Sequence, residues 1–84
     1  MSYALAFKSS AEKELRKLPH EAISRIIATI RTLGDEPRPY GCLKLSGSQS
    51  WRIRVGDYRV IYDIDDKSQK IDLLHIGHRR EVYR

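Results

Sequence analysis

The chain has 84 residues, 40% of them apolar and 32% charged, with a formal net charge of +5. That is one globular domain, expected over residues 1–84, with room for a single core and no disordered-type bias. It has no apolar run near the roughly 18–20 residues of a membrane span, no signal-peptide layout at its start, and one cysteine, Cys42, which excludes an internal disulfide and a cysteine zinc site.

A lone thiol suits a reducing cytoplasm, so a cytoplasmic location is expected, with no membrane partner. The three histidines are scattered and form no evident metal set, so neither metal nor other cofactor is expected. The positive charge fits either plain solubility or a polyanionic partner, nucleic acid or acidic protein. Its distribution has to decide between them.

Tyr3–Phe7 alternates large and small side chains and reads as a strand. Ser9 followed by Glu12 has the spacing of a capping box, opening a short helix to about Leu18 with Ala11, Leu15 and Leu18 on its inner stripe. Pro19 ends that helix and can begin the next. From His20 to Leu33 the positions Ala22, Ile23, Ile26, Ile27, Ile30 and Leu33 form an apolar face, and Gly34 suits a left-handed residue past the helix end. Leu5, Ile23, Ile27 and Ile30 are the expected core.

Asp35–Cys42, with its two prolines and a glycine, is a loop. Leu43–Leu45 is a short extended piece leading to Ser46-Gly47-Ser48. Strands are expected at about Trp51–Val55, Tyr58–Ile64 and Lys70–Gly77. The order is strand, helix, helix, then a three-strand antiparallel meander. That is an α+β domain with its helices on one sheet face.

Gly56-Asp57 is a two-residue hairpin loop with glycine where a type II′ turn needs it. The implied register pairs Val55 with Tyr58, Ile53 with Val60 and Trp51 with Tyr62 on the helix side. On the other face Arg54 lies opposite Arg59, and Arg52 opposite Ile61. Continuing the alternation puts Leu74 and Ile76 in the core and His75 near Arg59. It leaves Ile61, Leu73 and Ile71 on the outer face as candidate partner-contact surface. The nearest acids are Asp63 and Asp57, neither directly opposite an arginine.

Opposed like charges destabilise a sheet. At ~6 Å and an effective dielectric of ~20 the repulsion is on the order of 2–3 kcal/mol before salt screening. A single arginine on a strand usually splays its stem over apolar surface and keeps its head in water. A cluster of Arg52, Arg54 and Arg59, joined by Arg79 and Arg80 after the last strand, reads instead as an anion site. The planar guanidinium fork suits phosphate oxygens.

Lys44-Leu45-Ser46-Gly47, Trp51–Val55, Tyr58-Arg59-Val60-Ile61-Tyr62, Ile76-Gly77-His78-Arg79 and Val82-Tyr83 together resemble the RelE/ParE superfamily, the toxin halves of bacterial and archaeal type II toxin–antitoxin pairs. The likeness covers essentially the whole chain. It implies a fold related to small microbial ribonucleases and, on the RelE branch, metal-free mRNA cleavage on the ribosome, an mRNA interferase that inhibits translation. The implied partners are a cognate antitoxin, the ribosome with its mRNA, and operator DNA bound through the antitoxin complex. The family's catalytic positions fall on Arg52, Arg54, Arg59, Arg79 and Tyr83. Lys44, His75 and Arg80 are further candidates for RNA contact.

Such cleavage needs a base for the 2′-hydroxyl, an acid for the leaving 5′-oxygen, and cations for the phosphorane charge. Arg59 and Arg79 suit the last role, and Tyr83 suits stacking on a base, or else packing near the C-terminus. RelE carries lysines where this chain has Arg52 and Arg54. Arginine stays protonated, so the lysine-base mechanism does not transfer directly. A neutral histidine, His78 before His75, is then the expected proton-transfer group, against the plainer reading of each as a residue ending a strand. Alternatively no base is used and the arginines act by positioning. The chain ends one residue past Tyr83, where some relatives carry a long C-terminal helix. The alternative functions are a ParE-like inhibitor of DNA gyrase that catalyses nothing, and a degenerate toxin that only binds antitoxin and operator DNA.

Overall fold

The computed structural model describes residues 2–78. β1 (Ala4–Phe7) is followed by helices α1 (Ser9–Arg16) and α2 (His20–Leu33), then β2 (Leu43–Lys44), β3 (Ser50–Val55), β4 (Tyr58–Asp65) and β5 (Lys70–His78). One five-stranded sheet has the order β1-β5-β4-β3-β2. The β3–β4–β5 meander is antiparallel as expected, and the short extended piece is a true edge strand antiparallel to β3. β1 lies parallel to β5, from Ala4 opposite Lys70 to Phe7 opposite Leu73. The chain between them provides the long crossover a parallel pair requires. The α+β expectation holds, with a mixed sheet.

Ala11 and Leu15 of α1 and Ala22, Ile26, Ile30 and Leu33 of α2 are buried. They pack on Ile53, Val55, Val60, Tyr62, Ile71, Leu73 and Ile76, so the core lies between the helices and one sheet face. Ile30 is fully core, whereas Leu5, Ile23 and Ile27 are only partly buried at its margin. Pro19 sits at the N-cap of α2 with φ −58°, and its carbonyl accepts from the Ile23 N–H at 3.0 Å. No described helix is long and apolar enough to cross a membrane.

Three local expectations are overturned. Ser9 is already helical; Lys8 is the N-cap and no side chain caps the helix. The Lys8 N–H donates to the Leu73 carbonyl at 2.9 Å, which keeps residue 8 in strand geometry and puts Ser9 one position too late for a capping box. Glu12 instead lies 3.3 Å from Arg16. Gly34 is right-handed, φ −60°. Glycine belongs there because the Gly34 carbonyl accepts from the Tyr3 N–H at 2.7 Å, and a Cβ would sit 3.3 Å from both the Tyr3 and Arg31 carbonyl oxygens.

The third concerns β5. Ile61 faces His75 but Tyr62 faces Leu73, so Leu74 is an extra residue in a β-bulge. The bulge reverses the alternation. Ile71, Leu73 and Ile76 all enter the core, and Leu74 does not. Of the three residues expected on the outer face, only Ile61 is there.

The loop after α2 is tied to the sheet edge. The Tyr62 hydroxyl donates to the Pro37 carbonyl at 2.8 Å. Arg38 pairs with Asp66 at 2.9 Å and its guanidinium lies 5.2 Å from the Trp51 ring centroid, a cation–π contact. The Tyr3 hydroxyl donates to Asp66 Oδ1 at 2.6 Å. These contacts join β1, the loop, β3 and the β4–β5 turn.

Candidate functional site

The β3–β4 turn positions the arginines. Gly56 adopts φ +61°, and the register runs as expected from Val55 opposite Tyr58 through Arg54 opposite Arg59 to Arg52 opposite Ile61. In a two-residue hairpin the pair next to the turn-closing pair is not hydrogen-bonded across the strands. Its Cα atoms are then about 4.5 Å apart and its side chains closest. That pair is Arg54 and Arg59.

The two cope by taking different depths. Arg54 is exposed, whereas Arg52 and Arg59 are each only 8% exposed. Arg59 therefore does not follow the usual pattern of a strand arginine with its head in water. Its burial is a tertiary fact that the pairing register alone does not reveal. Arg52 lies between Leu43 of β2 and Ile61 of β4, both apolar. Its Nε is buried and has no hydrogen-bond partner among the described residues. Neither Arg52 nor Arg54 forms an ion pair with a described carboxylate. A buried donor left unsatisfied costs about 1–3 kcal/mol, a cost that no described residue offsets at Arg52.

The acids lie at one end of the same face. Asp63 accepts from the Ser50 hydroxyl at 2.6 Å and faces Asp72 across the β4–β5 pair. Asp72 in turn is 3.7 Å from Lys70. The face is therefore polarised along the strands: acids toward the Asp65–Lys70 end, arginines toward the Gly56 turn.

The two histidines lie on opposite faces of β5. His78 is opposite Tyr58, and the two rings meet edge to face with centroids 6.0 Å apart. Tyr58 belongs to the helix side, so the pairing parity puts His78 there too. His75, opposite Ile61, continues the row Leu43–Arg52–Ile61–His75 across the arginine face. Lys44 is opposite Trp51, on the other face at the sheet edge, and does not join the arginines. Arg79, Arg80 and Tyr83 lie outside the described residues.

One participant escaped the sequence reading. Glu14 of α1 accepts from the Ile76 N–H at 2.9 Å, and the same oxygen is 3.4 Å from His75 Nδ1. β1 ends at Phe7, leaving the outer edge of β5 without a strand partner at Ile76; α1 runs past it and supplies the acceptor. The only signal in the sequence is an acid flanking the Ala11–Leu15 stripe. Nothing local says which edge it will meet.

A family model described as the ParE toxin of type II toxin-antitoxin system, parDE, matches residues 5–83. Toxin RelG of Mycobacterium tuberculosis is 30% identical over 86 residues, covering 100% of this chain and 99% of the relative. Toxin RelE of the same organism is 31% identical, covering 98% and 87%. Among solved structures, the archaeal RelE–RelB complex from Pyrococcus horikoshii gives a TM-score of 0.84 at 31% identity, with 98% of this chain and 100% of that chain covered.

Proposed function

This chain belongs to the RelE/ParE family of toxins of type II toxin–antitoxin systems, and we propose that it is a ribosome-dependent endoribonuclease that cleaves mRNA. The observation that carries this reading is the arginine face, where Arg52, whose buried Nε has no partner among the described residues, sits with Arg54 and Arg59 on the sheet surface away from the helices. Such a surface favours a phosphodiester over a neutral partner.

The reaction is attack of a 2′-hydroxyl on the adjacent phosphorus, with the guanidinium groups stabilising charge on the phosphorane. The family resemblance adds Arg79 and Tyr83 as catalytic residues, with Arg80 a further candidate for RNA contact. The ribosome holds the mRNA in line for attack, and the protein acts in the cytoplasm. The partner is a cognate antitoxin, as in the archaeal RelE–RelB complex, with operator DNA bound through that complex.

The matching family model carries the ParE description, which favours a second reading, a gyrase inhibitor that catalyses nothing. One experiment separates the two. Purified protein is added to cell-free translation and mRNA 5′ ends are mapped, with a gyrase supercoiling assay in parallel. Codon-phased cuts support the nuclease, and blocked supercoiling without cuts supports the gyrase reading. Silence in both leaves a toxin that only binds its antitoxin and operator DNA.

A further inference from the structure

We propose that Glu14 is a positioning residue for this nuclease, holding His75 so that its Nε2 serves as the base for the 2′-hydroxyl. The inference rests on the nuclease reading above. It starts from three placements: His75 is in the same cross-strand row as Arg52, its side chain is 53% exposed, and its Nδ1 is 3.4 Å from Glu14 Oε1. Two strand spacings separate Arg52 from His75, about 10 Å between Cα positions. A long arginine and an imidazole converge on one nucleotide across such a gap.

The carboxylate sets the direction of the ring. With Nδ1–H turned to Glu14, the ring's other nitrogen carries the lone pair and turns away from α1. Glu14 is itself anchored, because the Ile76 N–H donates to the same oxygen at 2.9 Å. The bulge at Leu74 lets both Leu73 and Ile76 enter the core while His75, between Leu74 and Ile76, stays on the arginine face. Among the described residues the same face carries Arg52 and Arg59, toward which the substrate phosphate would lie, and Asp63, which Ser50 already engages.

The step balances simply. The 2′-oxygen forms a bond to phosphorus and its proton passes to His75 Nε2. The bond from phosphorus to the 5′-oxygen breaks, and that oxygen takes a proton from water. The products are a 2′,3′-cyclic phosphate and a free 5′-hydroxyl. Glu14 stabilises the imidazolium that forms, without touching the RNA, as a carboxylate behind a histidine base does elsewhere.

The test uses Glu14→Gln, whose amide oxygen still accepts from Ile76, together with His75→Gln and the double variant. In single-turnover cleavage of ribosome-bound mRNA, Glu14→Gln is expected to slow the rate about tenfold with half-saturation unchanged, a modest fraction of a general-base effect. The double variant should be no slower than His75→Gln alone, because both changes remove one unit. Nitrogen NMR of the imidazole should show mainly the Nδ1–H neutral tautomer in the native chain and a shift toward Nε2–H in Glu14→Ala, which removes the acceptor. An unchanged tautomer, or losses that multiply in the double variant, overturns the positioning role. A native chain that cuts no mRNA fails the nuclease reading and ends the proton-transfer role with it, while the tautomer measurement separately tests the contact.

Discussion

Arg54 and Arg59 are cross-strand partners of one residue type in very different surroundings. Arg54 is exposed beside a like charge, so Arg54→Ala should leave stability within about 0.5 kcal/mol of the parent. If it contacts a phosphate, the same change should slow single-turnover cleavage on the order of 10²-fold. Arg59 is 8% exposed, and Arg59→Ala removes packed methylenes as well as charge, so a loss of about 1–3 kcal/mol is expected. Urea melts of the two variants measure the difference; equal midpoints would contradict the difference in depth. Which residue types occupy this face was readable from the alternation of Arg52 to Arg59 about Gly56-Asp57. Burial was not, because it depends on the neighbouring strands Leu43 and Ile61 belong to.

The hairpin and the bulge are where elements decide the site. Gly56 at φ +61° is required by the turn, and a Cβ there would lie 3.1 Å from Arg25 Nη2. Gly56→Ala should therefore cost about 1–2 kcal/mol or more, seen as a lower denaturant midpoint with unchanged slope. Turn chemistry made β3 and β4 legible to within a residue and fixed their register, because the turn closes only one way. The bulge at Leu74 had no such signature. Ile71-Asp72-Leu73-Leu74-His75-Ile76 is apolar enough for either parity, and only the pairing against Ile61 and Tyr62 shows where the extra residue falls. The same shift moved Ile71 and Leu73 inward and Leu74 outward, while His75 stayed on the arginine face where plain alternation from Ile76 puts it.

At the scale of the molecule, Asp66 gathers contacts from distant parts of the chain. Arg38 and then Tyr3 hydrogen-bond its carboxylate and hold it below the ordinary aspartate value. The stability linked to its ionisation is present above the unfolded value, about 3.9, and is lost as pH falls through the lower folded one. Urea midpoints measured down from pH 5 should fall in the parent, and Asp66→Asn should reduce that slope. An identical slope in the variant would mean the latch contributes nothing. The contact spans 63 residues from Tyr3 to Asp66, a separation over which no sequence spacing gives guidance.

What the chain alone determined is short-range: two amphipathic helices, the hairpin about Gly56, and arginines sharing one face of a meander. Periodicity and turn geometry act over a few residues, so these are written locally. Tertiary structure decided the parallel pairing of β1 with β5, the depth of Arg52 and Arg59, and the meeting of Glu14 with His75. Each depends on which edges and faces are already covered when distant segments pack, and that is settled only by the assembled sheet.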